Sequence, residues 1–256
     1  MPAARAARRE SHDGQKHSGP VPATCGTLSQ QLQNFQSNVF APGYNFAIPV
    51  FEYGVPLALI MMGILAGAPL VAREIEQRTQ LVAWTQSVSR RRWYTAKVLT
   101  LGAGLAVISL IAGFANGWLQ HPLTEGGLTT SRWPWFFSID LALTGEVLLA
   151  FALAVALGSW LRRTVPAIGG ALAGSLVLLI ATGLAVRTLT PASRTTAPHF
   201  TVPSGGWIMQ SPNGHSIPYH PASQYWPLQL TFLAIALALA ATLLTSGWHA
   251  TRTRAI

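Results

Sequence analysis

The sequence predicts an all-α fold: a polytopic transmembrane helix bundle of about five spans, with a short cytoplasmic helix at the interface. Three observations predict it. Half of the 256 residues are apolar and only 10% are charged, whereas soluble domains carry about a quarter charged residues. The apolar residues are gathered into blocks, and about 20 residues of helix cross the roughly 30 Å hydrocarbon layer. No stretch alternates polar and apolar residues as barrel strands do, so helices remain as the way to satisfy backbone groups inside lipid.

The five blocks cover residues 48–72, 98–118, 139–160, 165–186 and 228–248. They define a membrane domain over 48–256, preceded by a polar segment, 1–47, expected to be disordered or an external loop. Basic residues mark alternate connections. Arg73, Arg78, Arg90, Arg91, Arg92 and Lys97 follow the first block, Arg162 and Arg163 form a tight turn after the third, and Arg252 and Arg254 follow the last. The positive-inside rule makes these segments cytoplasmic, together with the C-terminus. The two remaining connections carry few charges and lie outside; the longer, from Arg187 to Pro227, is rich in Pro, Ser, Thr and Gly and should have little regular structure. Tryptophans fall near block ends or in loops, as an aromatic belt requires.

The net charge of +9 fits lipid anchoring better than nucleic-acid binding, because the basic residues flank apolar blocks. Cys25 is the single cysteine, which excludes an internal disulfide. The first 22 residues lack the apolar core of a signal peptide. Arg5, Arg8, Arg9 and Lys16 would have to lie outside in this scheme, which points to a first helix lost upstream, with Cys25–Asn45 as the external loop that followed it; the alternative is that the segment simply translocates.

Three acids lie in or near the blocks. Glu52 and Asp140 are close to outer ends, while Glu146 is deeper, about 10 Å of helix rise into its span. Charge is costly in lipid, so Glu146 should face the bundle interior or a partner, lining a path or joining subunits, with Asp140 as a second candidate. Pairs at Gly63/Gly67, Gly113/Gly117 and Gly170/Gly174 have the small-xxx-small spacing that permits close helix packing, more within the bundle than across a dimer. His199, His215 and His220 lack the spacing of a metal site, and no metal or other cofactor is expected. No nucleophile, base and orienting acid group together for hydrolysis.

The stretch from Pro69 to Lys97 is the most distinctive. It sets Arg73, Glu74 and Glu76 at the cytoplasmic face, continues as a short helix to about Trp84, and offers Ser89 as N-cap of the next helix. It resembles the first cytoplasmic segment of type-2 ABC exporter permeases, whose pattern is Ala-Arg-Glu-x-Glu-x-Gly-Thr, then Thr-x-x-Val-Ser/Thr-Arg, then Trp and Lys. The matching residues are Ala72, Arg73, Glu74, Glu76 and Thr79, then Thr85, Val88, Ser89, Arg90, Trp93 and Lys97. Arg78 stands where the family has glycine, which alters the local turn. Tyr219–Gln229 resembles the outer-loop signature of actinobacterial-type members.

The resemblance implies a multi-pass permease of the bacterial plasma membrane that works with an ABC ATPase subunit and a second permease chain, as homo- or heterodimer. It implies that Arg73, Glu74, Glu76 and Thr79 form the ATPase-coupling element. The chain carries no phosphate loop of its own, since its only lysines, Lys16 and Lys97, lack the glycine-rich context. It is therefore not expected to be an enzyme. The alternatives are a proton-coupled secondary transporter using Glu146 and Asp140, and a non-transporting membrane scaffold.

Overall fold

The computed structural model describes residues 50–77, 89–125, 136–189, 193–195, 207–208 and 217–253. The chain divides into two units, Met1–Ile48 and Pro49–Ile256, and every described residue lies in the second. The N-terminal segment 1–47, the upstream span inferred from its charges, Thr79 and the surface helix toward Trp84 lie outside the described residues.

Five helices are long and apolar enough to cross a membrane among the described residues. They are α1 (Val55–Glu76), α2 (Arg90–Glu125), α3 (Asp140–Leu161), α4 (Thr164–Leu189) and α5 (Tyr225–Thr253). The architecture is the polytopic helix bundle that the apolar blocks predict. A π-helical turn at Val50–Gly54 precedes α1, so regular α-helix begins later than residue 48. Pro56 is accommodated there because first-turn N–H groups have no partner within a helix. At 36 residues α2 is about 54 Å long, well beyond its apolar block. It starts at Arg90 because Ser89 caps it: the Arg92 N–H donates to Ser89 Oγ at 3.3 Å, and the Trp93 N–H to the Ser89 carbonyl at 3.0 Å.

The centre of the bundle is α3. Its span is 83% buried, against 22% for those of α2 and α4. Lipid is as apolar as a leucine face, so burial follows the groups that lipid disfavours, and α3 carries four of them, Asp140, Thr144, Glu146 and Ser159, all buried. Every other span packs on it. Small residues set the spacing: a Cβ on Gly67 of α1 would lie 2.7 Å from the Phe151 carbonyl oxygen, and one on Gly158 of α3 would lie 2.6 Å from that of Ala68. The two backbones therefore meet through reciprocal glycines, as close packing in lipid favours. The exposed face of the bundle is apolar, with Leu99, Ile111 and Trp118 on α2 and Leu176, Val177 and Ile180 on α4.

Two residues connect α3 to α4. Arg162 takes the left-handed conformation (φ 55°) and donates its N–H to the Gly158 carbonyl at 3.1 Å, ending α3. The long connection after α4 differs from expectation. It contains three short strands, β1 (Ser193–Thr195), β2 (Trp207–Ile208) and β3 (Ile217–His220). They form an antiparallel sheet in the order β1-β3-β2, with Ser193 opposite Tyr219 and Trp207 opposite His220. The strands are too short, and Pro218 too disruptive of the apolar alternation, for the pattern to announce them.

Candidate functional site

At one end of the bundle, the last turn of α1 is tied to two other helices. Glu74 forms an ion pair with Lys97 of α2, and the Lys97 ammonium lies 4.7 Å from the centre of the Trp93 ring. Glu76 accepts two hydrogen bonds from Thr164 at the start of α4, from the backbone N–H at 3.1 Å and from the hydroxyl at 2.8 Å. A carboxylate at a helix N-terminus satisfies an orphan donor and complements the helix dipole. Arg73 is on the same turn and exposed. The end of α5 joins here too: the Tyr94 hydroxyl donates to the Leu244 carbonyl at 3.0 Å, and its ring lies 5.7 Å from that of Trp248. The structure therefore brings Glu74 and Glu76 together with α2 and α4. Thr164 and Tyr94 are partners that the sequence did not single out, because both pair across long separations.

The opposite end is built around Asp140. This non-glycine residue opens α3 in the left-handed region (φ 47°), which costs about 1 kcal/mol. The surroundings fix it there. Tyr225 of α5 donates its hydroxyl to Asp140 Oδ2. Gly113 and Gly117 of α2 leave room for its backbone and its carboxylate, respectively. Asn116 Nδ2 donates to the Ser138 carbonyl at 2.8 Å. Gln229 of α5 accepts the Ala142 N–H at 2.7 Å, capping α3 from a different helix. His220 is buried, and its Nδ1 lies 2.7 Å from Gln224 Oε1 in the turn that leads into α5. Asp140 thus acts as a junction between α2, α3 and α5. The three residues of the Gly113/Gly117 and Asp140 set come together, which spacing alone suggested only for the glycines.

Glu146 lies six residues deeper on α3 and is 7% exposed. It lines a cavity of about 150 Å³ between α1, α3 and α4, with Leu57, Ile60, Ile64, Leu176, Leu179 and others. The walls are apolar apart from Glu146, Ser175 and Thr182. Thr182 gives its hydroxyl to the Leu178 carbonyl, whereas Glu146 Oε1 and Ser175 Oγ are buried without a partner among the described residues. Glu146 and Asp140 are therefore not one site: the first opens onto this cavity, the second is locked in the junction of α2, α3 and α5. Ser175 went unnoticed in the sequence, although a hydroxyl in the middle of an apolar block is a usable signal. Glu52 lies in the π-helical turn. His199 and His215 lie outside the described residues.

A family model described as ABC-2 membrane transporter related matches residues 5–187. That range includes the Pro69–Lys97 stretch and α1 to α3; the second motif, Tyr219–Gln229, and α5 lie beyond it. The comparisons with curated proteins and with solved structures gave no match.

Proposed function

The chain belongs to the ABC-2 membrane transporter related family, and from that premise we propose that it is the permease subunit of an export system powered by a separate ABC ATPase. Membership and five membrane-crossing helices make it a multi-pass membrane protein of permease type. The proposal adds the export direction, the plasma membrane, a cytoplasmic C-terminus and pairing with a second permease chain.

One observation carries the mechanism: the end of α1 is bonded to the starts of α2 and α4. In this reading the ATPase grips the segment from Arg73 through Thr79. Displacement there passes to α2 through Glu74 and Lys97, and to α4 through Glu76 and Thr164. Nucleotide binding supplies the differential affinity that any driven conformational change requires. The basic residues around this end, Arg73, Arg91, Arg92, Arg163 and Arg252, support its placement in the cytoplasm.

The test is copurification of the full chain with its co-expressed ATPase from detergent. Glu74→Arg is expected to insert normally and to lose the ATPase or its stimulation. Lys97→Glu combined with Glu74→Lys, which restores the ion pair in reverse, is expected to recover part of the stimulation. Unchanged stimulation in the single variant, or labelling of an Arg73→Cys variant by an impermeant reagent from outside intact cells, would overturn the coupling assignment.

A further inference from the structure

The cavity below Glu146 has a composition that selects a ligand. Ten of its thirteen lining residues are apolar, and no Lys, Arg or His is among the thirteen. Among the described residues, its buried acceptors without a partner are Glu146 Oε1 and Ser175 Oγ. Burying such groups unsatisfied is unfavourable, and an acidic one far more so. A water molecule needs two to four polar partners to be held and gains nothing from hydrocarbon walls. A group that donates hydrogen bonds, carries positive charge and trails an apolar body satisfies both the acceptors and the walls.

The position of the cavity says how such a ligand arrives. Glu146 is about 9 Å along α3 from Asp140, well inside the span. Leu57 of α1 and Leu176 of α4, both 60% exposed, stand on the outer surface of the cavity. The opening between α1 and α4 therefore faces lipid. At about 150 Å³ the cavity holds a headgroup and a few methylenes or one small ring, not a whole drug-sized molecule. A longer tail has to remain between Leu57 and Leu176, in the acyl chains.

The geometry points to a lateral binding site for amphiphilic primary amines, with the ammonium on Glu146 and Ser175 and the tail in the lipid. That the bound amine is cargo rests on the transporter reading above; the binding does not. Glu146 acts as the charge partner, Ser175 as a second acceptor, and Leu57 and Leu176 as the rim.

The experiment measures binding of radiolabelled decylamine, with decanol as its neutral counterpart, to the purified full chain in phosphatidylcholine nanodiscs. The wild-type protein is expected to bind the amine about tenfold or more tightly than the alcohol, the size of a hydrogen bond to a charged group. Glu146→Gln should remove most of that preference. Leu176→Trp, at a position 60% exposed on the rim, should weaken both ligands by blocking the entrance. Equal binding of amine and alcohol to the wild type, or an amine preference unchanged in Glu146→Gln, overturns the proposal. So does efficient disulfide formation between two Leu176→Cys chains, which would make the opening a subunit seam. Glu74→Arg should leave amine binding intact. Amine binding without ATPase stimulation would therefore sink the transporter reading alone, while intact coupling without amine preference would sink this site alone.

Discussion

Glu76, the last residue of α1, closes the first turn of α4 by accepting both the backbone N–H and the hydroxyl of Thr164, at 3.1 and 2.8 Å. Eighty-eight residues separate the two in sequence. Glu76→Ala should remove a cap worth about 1 kcal/mol and lower the midpoint of thermal unfolding by about 2–4 °C. Glu76→Gln, which keeps an acceptor for the N–H, should lie near wild type. Hydrogen exchange at the first turn of α4 separates a local loss from a general one: only the alanine variant should speed it.

Gly113 and Gly117 are held to glycine by Asp140 and not by helix propensity. A Cβ at Gly117 would lie 2.8 Å from Asp140 Oδ1, and one at Gly113 would meet the Asp140 backbone. Gly113→Ala should therefore destabilise the protein in detergent by several degrees. Gly104→Ala, on the same helix with open space around it, should be neutral or stabilising by up to about 1 kcal/mol. Size-exclusion survival after heating reads both.

Gln229 works at both ends of its amide, accepting from the Ala142 N–H at 2.7 Å and donating to the Phe136 carbonyl at 3.4 Å. Gln229→Leu leaves a buried donor without a partner and should cost about 1–3 kcal/mol. Gln229→Glu retains the acceptor for Ala142 and should cost less. The same thermal assay distinguishes them, and equal losses would argue that the donor side matters as much.

The Glu74–Lys97 pair is partly solvated, its side chains 29% and 30% exposed. A double-mutant cycle with alanine at each position should return a coupling of about 0.2–1 kcal/mol. It should shrink as salt is raised. A larger coupling would mean that the Trp93 ring under Lys97 contributes substantially.

The spans were legible because lipid leaves a sequence few options: long apolar blocks, charges on alternate connections, and Ser89 placed to cap α2. What the sequence hid was pairing over distance. Gln229 caps α3 and Glu76 caps α4 from other helices, and a cap supplied in this way has no local spacing to betray it. The glycine pairs were readable as close-packing faces, yet that Gly113 and Gly117 receive Asp140 depends on how α2 and α3 cross. Asp140 itself read as an acid near the outer surface; its left-handed backbone comes from contacts with α2 and α5. The small sheet between α4 and α5 was obscured by strands of two to four residues, one of them containing Pro218.

Because α3 is enclosed by its four companions and joined to α4 by Arg162 and Arg163 alone, it is poorly suited to being the part that travels. Sliding it would break its glycine contacts with α1 and its amide cap from α5 at once. It is better understood as a fixed axle. Under the transporter reading, rearrangement then falls to the peripheral helices pivoting around it, with α4 tilting about the first turn that Glu76 holds.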